Sequence, residues 1–297
     1  MIPGAARKFA SENATGILAM IAAMAAFVGN DTCIKLIGDR LPLGELITLR
    51  SAIATLYLLA FGVAFGGLAL PARAPWPLMR WRLVGEFFAT LFFLSGLVAL
   101  PIADATALTQ FTPLAITAAA AVFLKEHVGW RRWAATGIGL AGILLITRPG
   151  TAAFSPAAVL VLLAVCFIVL RDLATRLITD DVSTLALVAM STFTGIFSGL
   201  VLLPFESWIW PDAATLLLLL AAAGFLCFAF AFTVIGMRHG DVGLVSPFRY
   251  SVIVFAILSG WVFWGDLPDA GQMTGIFLLA AAGLYTFHRE RLLTRIR

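Results

Sequence analysis

Five charged side chains lie inside long apolar stretches of this sequence: Asp31, Lys35, Arg50, Glu86 and Arg249. A charge within a hydrocarbon layer costs about 2.5 to 3.5 kcal/mol on insertion scales. Such a group is therefore expected to face the interior of a helical bundle, to form an ion pair, or to line a watery cavity. The chemistry open to these groups is ion pairing, proton carriage and the binding of a charged small molecule.

Asp31 and Lys35 stand four residues apart, which is the spacing of an ion pair on one helix face. Two interpretations stay open. The pair neutralises itself so that its helix can insert, or Lys35 binds a carboxylate while Asp31 compensates or binds an amino group. Glu86 is a candidate proton carrier if burial raises its affinity for a proton. Its alternatives are solvation at the membrane surface and pairing with Arg82, four residues before it.

Arg50 and Arg249 lie deep inside their apolar stretches and have no acidic neighbour at helical spacing. A partner from another helix or a ligand is therefore expected for each. Ser246 and Tyr250 flank Arg249 on a segment that Pro247 opens by freeing a backbone carbonyl.

Asn30, Thr109 and Gln110 are uncharged polar groups that can form hydrogen bonds between helices, which is the default interpretation, or to a ligand. The residues predicted to line a substrate cavity are Asn30, Asp31, Lys35, Arg50, Glu86, Gln110, Ser246, Arg249 and Tyr250.

Motifs of enzymatic chemistry are missing from the sequence. The three histidines, His127, His239 and His288, each lie at the end of an apolar stretch, so neither a His-Glu-x-x-His zinc site nor a multi-histidine iron site can be built. Nucleophile elbows, Walker loops and dinucleotide glycine patterns are also missing, as are the repeated filter segments of a channel. The sequence predicts no enzyme, no cofactor and no nucleic-acid partner, with an integral-membrane lipid-modifying enzyme as a remote alternative.

Composition identifies the elements that must position these groups. Hydrophobic residues make up 61% of the 297 residues and charged residues only 12%, whereas a soluble domain is about 25% charged. The mean hydropathy is +1.01. A hydrocarbon core of roughly 30 Å needs about 20 apolar residues in a helix. The sequence predicts an all-α polytopic membrane protein with ten transmembrane helices, near residues 16–37, 43–70, 81–100, 105–124, 131–147, 156–178, 183–203, 213–236, 242–264 and 270–287.

The ten predicted spans divide into two sets of five, and Thr136-Gly137-Ile138 in the fifth recurs as Thr274-Gly275-Ile276 in the tenth. An odd number of crossings places the second set upside down relative to the first, which is the inverted-repeat plan of secondary transporters. The predicted repeats are residues 14–147 and 152–288, with short tails at 1–13 and 289–297. Pairs of small residues four apart predict close helix packing: Ala135 with Gly139, Gly195 with Gly199, and Gly271 with Gly275.

Basic residues predict the orientation of the chain. If the amino terminus is cytoplasmic, almost all lysines and arginines of the connecting segments fall on the cytoplasmic side. Only Arg40 and Arg148 fall on the opposite side of the membrane. This is the positive-inside pattern, and it predicts that both termini are cytoplasmic. The sequence pI of about 9.3 then reflects topology.

Several of these stretches resemble the drug/metabolite transporter superfamily, in its EamA-type ten-helix branch. They are the run from Asn30 to Lys35 followed by Arg50, Pro113 followed by Leu124-Lys125-Glu126, Arg148-Pro149-Gly150, and the run from Ser246 to Tyr250 followed by Gly265-Asp266 and Gly275. The resemblance covers essentially the whole chain.

The resemblance implies a secondary transporter that exports small metabolites by alternating access across a bacterial-type inner (plasma) membrane. Amino acids are the favoured cargo, including aromatic and apolar ones. A multidrug or lipophilic-cation exporter and a nucleobase exporter are the alternatives. Cation export would require an uncompensated acidic group, and within the spans only Asp31 and Glu86 qualify. The implied partners are the small-molecule substrate and membrane lipids, with protons as a candidate coupling ion, and the expected assembly is a monomer or weak homodimer.

Overall fold

The computed structural model describes residues 3–66, 76–123, 125, 129–151, 154–178, 182–239 and 242–294. Every regular element in these ranges is a helix, with short 3-10 segments at Leu203–Phe205 and Ser246–Tyr250. The side chains of the three histidines and of Leu124 and Glu126 lie outside the described residues. The α-helices are α1 Pro3–Ile37, α2 Leu43–Phe65, α3 Trp76–Ala99, α4 Ile102–Thr109, α5 Thr112–Phe123, α6 Trp130–Thr147, α7 Pro156–Leu177, α8 Thr184–Leu200, α9 Ala213–His239, α10 Val242–Val245, α11 Ser251–Trp264 and α12 Ala270–Thr294.

Eight helical segments in the described part of the chain are long and apolar enough to cross a membrane. They coincide with all the predicted spans except the fifth and the tenth. Those two are helices as well, but α12 contributes a shorter apolar stretch, Ala270–Thr286, and α6 begins with Arg131 and Arg132 in its first turn. The all-helical membrane architecture is confirmed, and the count of ten crossings stays a prediction.

The fourth predicted span is broken into α4 and α5. Pro113 has no N–H group to donate to the carbonyl of Thr109, and the hydroxyl of Thr112 donates to that carbonyl instead, at 2.6 Å. The amide of Gln110 turns back to the carbonyl of Ala107 at 3.0 Å. The ninth predicted span is interrupted in the same way, because the segment around Pro247 is a 3-10 helix between α10 and α11. Both interruptions present polar side chains within the bundle.

The most extensive helix contacts pair α1 with α9, α3 with α7, α2 with α8, and α6 with α12. Each of these pairs joins one of the first five predicted spans to one of the second five. The pattern of contacts is preserved when each of the first five predicted spans is exchanged with the corresponding span of the second five. The contact of α1 with α9 then becomes that of α7 with α3, and the contact of α2 with α9 becomes that of α8 with α3.

Small residues allow the closest of these contacts. A methyl group on Gly199 of α8 would lie 2.4 Å from the carbonyl oxygen of Gly44 and 2.6 Å from the amide nitrogen of Thr48, both on α2. A methyl group on Gly195 would lie 2.6 Å from the hydroxyl of Ser51. The close packing predicted for Gly195 and Gly199 is therefore confirmed, and it brings the backbones of α2 and α8 together.

A polar cluster ties the end of α6 to the start of α12. Arg148 forms an ion pair with Asp269, whose carboxylate also accepts the backbone N–H groups of Gly271 at 2.8 Å and Gln272 at 3.1 Å. Gln272 accepts the N–H of Asp269 in return at 2.9 Å, which completes a capping box. The side-chain Nε2 of Gln272 donates to the Oδ2 of Asp104 on α4 at 2.7 Å. The cluster therefore fixes three helices at one end of the bundle.

This cluster predicts a pH effect on stability. The backbone N–H of Gln272, followed by Arg148, holds the pKa of Asp269 below its usual value. A depressed carboxyl pKa stabilises the fold above the unfolded value, about 3.9, and the contribution is lost as pH falls through the folded pKa. Asp269→Asn is therefore expected to lower the melting temperature at pH 7, and the difference from wild type should shrink below about pH 4. A difference that stays constant across a pH series of thermal unfolding curves would contradict this assignment.

Candidate functional site

A central cavity of about 490 Å³ lies between the two sets of helices. It is lined by residues of α1, α2, α3, α4, α5, α7, α8, α9 and α11, together with the two interruptions described above. Eight of the nine residues predicted from the sequence line it: Asn30, Asp31, Arg50, Glu86, Gln110, Ser246, Arg249 and Tyr250. Lys35 does not belong to the lining.

One wall of the cavity carries a relay of three polar groups from α1 and α2. The Arg50 Nε donates to the Asn30 Oδ1 at 3.1 Å, and the Asn30 Nδ2 donates to the Asp31 Oδ1 at 2.8 Å. Arg50 and Asn30 are both buried. The partner on another helix that was expected for Arg50 is therefore Asn30, and the relay leaves the second oxygen of Asp31 without a hydrogen bond to any described residue.

A second charged group joins α3 to α7. The Arg171 Nε donates to Asp172 at 2.8 Å, and the Arg171 Nη1 lies 3.5 Å from Glu86. Glu86 therefore forms its ion pair across to α7, and the charge of Arg82, the partner considered from the sequence, acts on it without an ion pair in the described residues. The Nε and Nη1 of Arg82 are buried without a hydrogen-bond partner among the described residues.

Arg171 and Asp172 were not predicted as cavity residues, although both line the cavity. They lie near the end of an apolar stretch, where a charge is normally solvated at the membrane surface. The signal in the sequence was an adjacent basic and acidic residue still inside the apolar stretch.

Arg249 lies in the 3-10 segment between α10 and α11. Its side chain is exposed to the cavity, and it makes no hydrogen bond or ion pair with any residue that the structure describes. The adjacent Tyr250 points its hydroxyl against α12, where a methyl group on Gly283 would overlap it. That hydroxyl is buried and has no hydrogen-bond partner within the described ranges. The Arg249 guanidinium is therefore exposed at the cavity wall without a hydrogen bond or ion pair to a described residue.

Lys35 binds the carbonyl groups at the end of α3 and does not face the cavity. Its ammonium donates to the backbone carbonyls of Leu97, Val98 and Leu100 at 3.5, 3.3 and 2.5 Å, and it lies 5.5 Å from the ring centroid of Trp264. The predicted pair with Asp31 is wrong because the last carbonyls of a helix have no partner within that helix and attract a cation. Lys35 therefore caps the end of α3.

Replacing Lys35 by Gln is expected to destabilise the protein by about 1.5 to 3 kcal/mol, because charged hydrogen bonds to buried carbonyls are lost. The apparent substrate affinity should stay near the wild-type value, since Lys35 lies outside the cavity lining. Thermal unfolding and transport kinetics of the same preparation test the two parts. A raised KM with unchanged stability would place Lys35 in the binding site instead.

The charges that line the cavity are balanced. Three arginines and three carboxylates belong to the described lining, and hydroxyl groups and phenylalanines fill the spaces between them. The cavity residues listed from the sequence held three basic and two acidic groups, and the balance arises because Lys35 leaves this set while Arg171 and Asp172 join it. No cluster of three or more metal-ligating side chains occurs in the described part of the chain. The arrangement is suited to bind a small molecule that carries both signs of charge.

Comparisons with known proteins identify the family of the chain. The EamA-like transporter family matches residues 14–148 and again residues 155–287. The chain is 26% identical over 266 residues to an S-adenosylmethionine uptake transporter of Rickettsia prowazekii, covering 88% of each chain. It is 30% identical over 239 residues to a riboflavin transporter of Rhizobium johnstonii, covering 80% of this chain and 78% of the relative.

A pseudopaline exporter of Pseudomonas aeruginosa is 28% identical over 282 residues, covering 90% of this chain and 94% of the relative. A solved crystal structure shares the fold, with a TM-score of 0.62 at 23% identity over 95% of this chain and 99% of that one. The family and these relatives are transporters and not enzymes. The protein is thus an integral membrane transporter, and it belongs to the EamA-like transporter family of the drug/metabolite transporter superfamily.

Proposed function

We propose that this protein is a secondary transporter that exports small zwitterionic metabolites across the inner (plasma) membrane, with amino acids as the favoured cargo. The observation that carries the proposal is the balanced cavity in which Arg249 makes no hydrogen bond or ion pair with a described residue, although the charge of Asp172 acts on it from a distance. Aromatic and apolar amino acids fit best, because Phe27, Phe93 and Phe230 supply apolar walls beside the charges.

Arg249 is the residue assigned to the substrate carboxylate. An arginine inside a membrane protein is costly unless it is paired or hydrated, and its planar guanidinium is suited to a bidentate bond with a carboxylate. The other two cavity arginines are already engaged, Arg50 with Asn30 and Arg171 with Glu86 and Asp172. Among the described residues that line the cavity, Arg249 is therefore the arginine whose hydrogen-bond donors are open to an entering carboxylate.

Asp31 is assigned to the amino group of the substrate. Asn30 holds one of its oxygens and leaves the other toward the cavity. Glu86 and Asp172 are less suited, because Arg171 already neutralises them. A lipophilic cation could also use Asp31, but it would leave Arg249 without a ligand, so the cavity favours a zwitterion over a lipophilic cation.

The relatives transport chemically different cargoes, and one of those cargoes supports an amino-acid head group. S-adenosylmethionine, which the Rickettsia prowazekii relative takes up, carries a carboxylate and an amino group on one carbon atom. Riboflavin, the cargo of another relative, carries neither group. The zwitterionic assignment for this chain therefore depends on its own cavity charges.

Alternating access is proposed to occur between two inverted five-helix repeats, residues 14–147 and 152–288, in a ten-span protein with both termini cytoplasmic. Two matches to one family model within the chain support the duplication. The helix contacts, which are preserved on exchange of the two sets, support a twofold relation. Rocking of one repeat against the other would then expose the cavity to each side in turn.

A counterflow screen of the purified protein in liposomes tests the cargo. We expect exchange of labelled aromatic or apolar amino acids, and none of a lipophilic cation such as tetraphenylphosphonium. Vesicles that contain Arg249→Gln serve as the matched control for leak. Exchange of the lipophilic cation or of riboflavin without any amino acid would refute the zwitterion assignment.

Runs with and without a pH gradient show whether protons are coupled to transport, for which Asp31 and Glu86 are the candidate carriers.

A further inference from the structure

A groove of about 430 Å³ lies on the outside of the bundle between α6 and α12. The two helices are in close contact where a methyl group on Gly142 would lie 2.7 Å from the carbonyl oxygen of Gly275. The groove lies beyond this contact and follows the two helices from Ile138 and Leu278 to Trp130 and Tyr285. Alanines of both helices form its floor, and the exposed rings of Trp130 and Tyr285 stand at its rim.

Among the residues in the described ranges, the groove has one charged lining residue, Arg131. Its guanidinium lies 5.4 Å from the ring centroid of Trp130, a cation–π distance that holds the charge at the rim. Tryptophan and tyrosine favour the boundary between hydrocarbon and head groups. In the orientation proposed above, this end of α6 faces the cytoplasmic leaflet, where anionic lipids attract basic side chains.

The dimensions of the groove suit a lipid chain. From Trp130 to Ile138 the groove follows α6 for roughly 12 Å at 1.5 Å per residue. One leaflet of a hydrocarbon core is roughly half of 30 Å. The walls and the floor are otherwise apolar, so the groove combines a cationic rim with a hydrocarbon-lined channel.

We propose that this groove is a binding site for one anionic phospholipid, whose phosphate meets Arg131 and whose acyl chain lies on the alanine floor between Trp130 and Tyr285. A second copy of the chain fits less well. A twofold interface would bring the same surface of each copy together, and the groove lining that the structure describes has no acidic partner for the second Arg131.

Native mass spectrometry of the detergent-purified protein tests the site, using phosphatidylglycerol and phosphatidylcholine with identical chains. We expect tighter binding of phosphatidylglycerol, and Arg131→Gln should weaken that binding about fivefold and remove the preference. Arg80→Gln is the matched control, because Arg80 is an exposed arginine at the start of α3, outside the groove. Ala281→Phe fills the groove and should reduce the binding of both lipids, whereas Ala221→Phe, at an exposed position of α9, should not.

Several results would overturn the proposal. Equal binding of the two lipids to wild type, or equal effects of Arg131→Gln and Arg80→Gln, would remove the head-group contact. Competition by glycerol phosphate at the same concentration would show a free-anion site without an acyl groove. Dimers that dissociate in Ala281→Phe would make the groove an interface between copies. If Ala281→Phe fails to fold, the comparison of the two arginine variants still decides the matter.

Discussion

Arg249→Gln is expected to reduce the transport rate at low substrate concentration by roughly tenfold to a hundredfold, the loss of one charged hydrogen-bonding partner worth about 1.5 to 3 kcal/mol. The protein should remain folded, because Arg249 makes no hydrogen bond or ion pair with any residue that the structure describes. The measurement is the initial rate of amino-acid counterflow in liposomes, with thermal unfolding as the check on folding.

Two control variants make this result specific. Arg249→Lys keeps the charge but loses the planar guanidinium, so it should retain part of the activity. Arg40→Gln removes an exposed arginine in the turn between α1 and α2 and should leave transport unchanged. Wild-type rates in Arg249→Gln, or equal losses in Arg249→Gln and Arg40→Gln, would remove Arg249 from the binding site.

Gly199→Ala is expected to lower the free energy of unfolding by about 1 to 3 kcal/mol, the usual cost of overpacking a close contact. The added methyl group would lie 2.4 Å from a backbone oxygen of α2, and a backbone atom cannot move aside as a flexible side chain can. The measurement is unfolding of the purified protein in mixed micelles.

Gly224→Ala is the matched control, because this glycine also lies within a helix, α9, but a methyl group there meets nothing within 4 Å. It should stabilise the protein by up to about 1 kcal/mol through helix propensity alone. Destabilisation of equal size in the two variants would show that the loss comes from a general effect of an added methyl group in the membrane and not from the contact of α2 with α8.

The cavity residues were predictable because an apolar span makes each of its charged groups conspicuous. Arg50, Glu86 and Arg249 could be assigned to the bundle interior without knowing which helices meet. The prediction failed for Lys35, since spacing along one helix shows a neighbour four residues away but not the carbonyls of another helix end. It missed Arg171 because the end of a span is also where charges reach water.

The interruptions of the fourth and ninth spans were only partly foreseen. Pro247 was expected to open its helix, and the structure has a 3-10 segment there. Pro113 gave the same signal, but the fourth span was predicted as a single helix over 105–124. The break depends on how the hydroxyl of Thr112 replaces the missing N–H, a local alternative that propensity alone does not distinguish.

The pairing of helices across the middle of the chain has a consequence for biosynthesis. Because α1, α2, α3 and α6 have their most extensive contacts with helices that are made later, the amino-terminal portion enters the bilayer with its glycine-lined surfaces still facing lipid. Glu86 likewise has no Arg171 to pair with until α7 has been synthesised. The contacts of the amino-terminal helices can therefore form only after their partners in the second set have been synthesised.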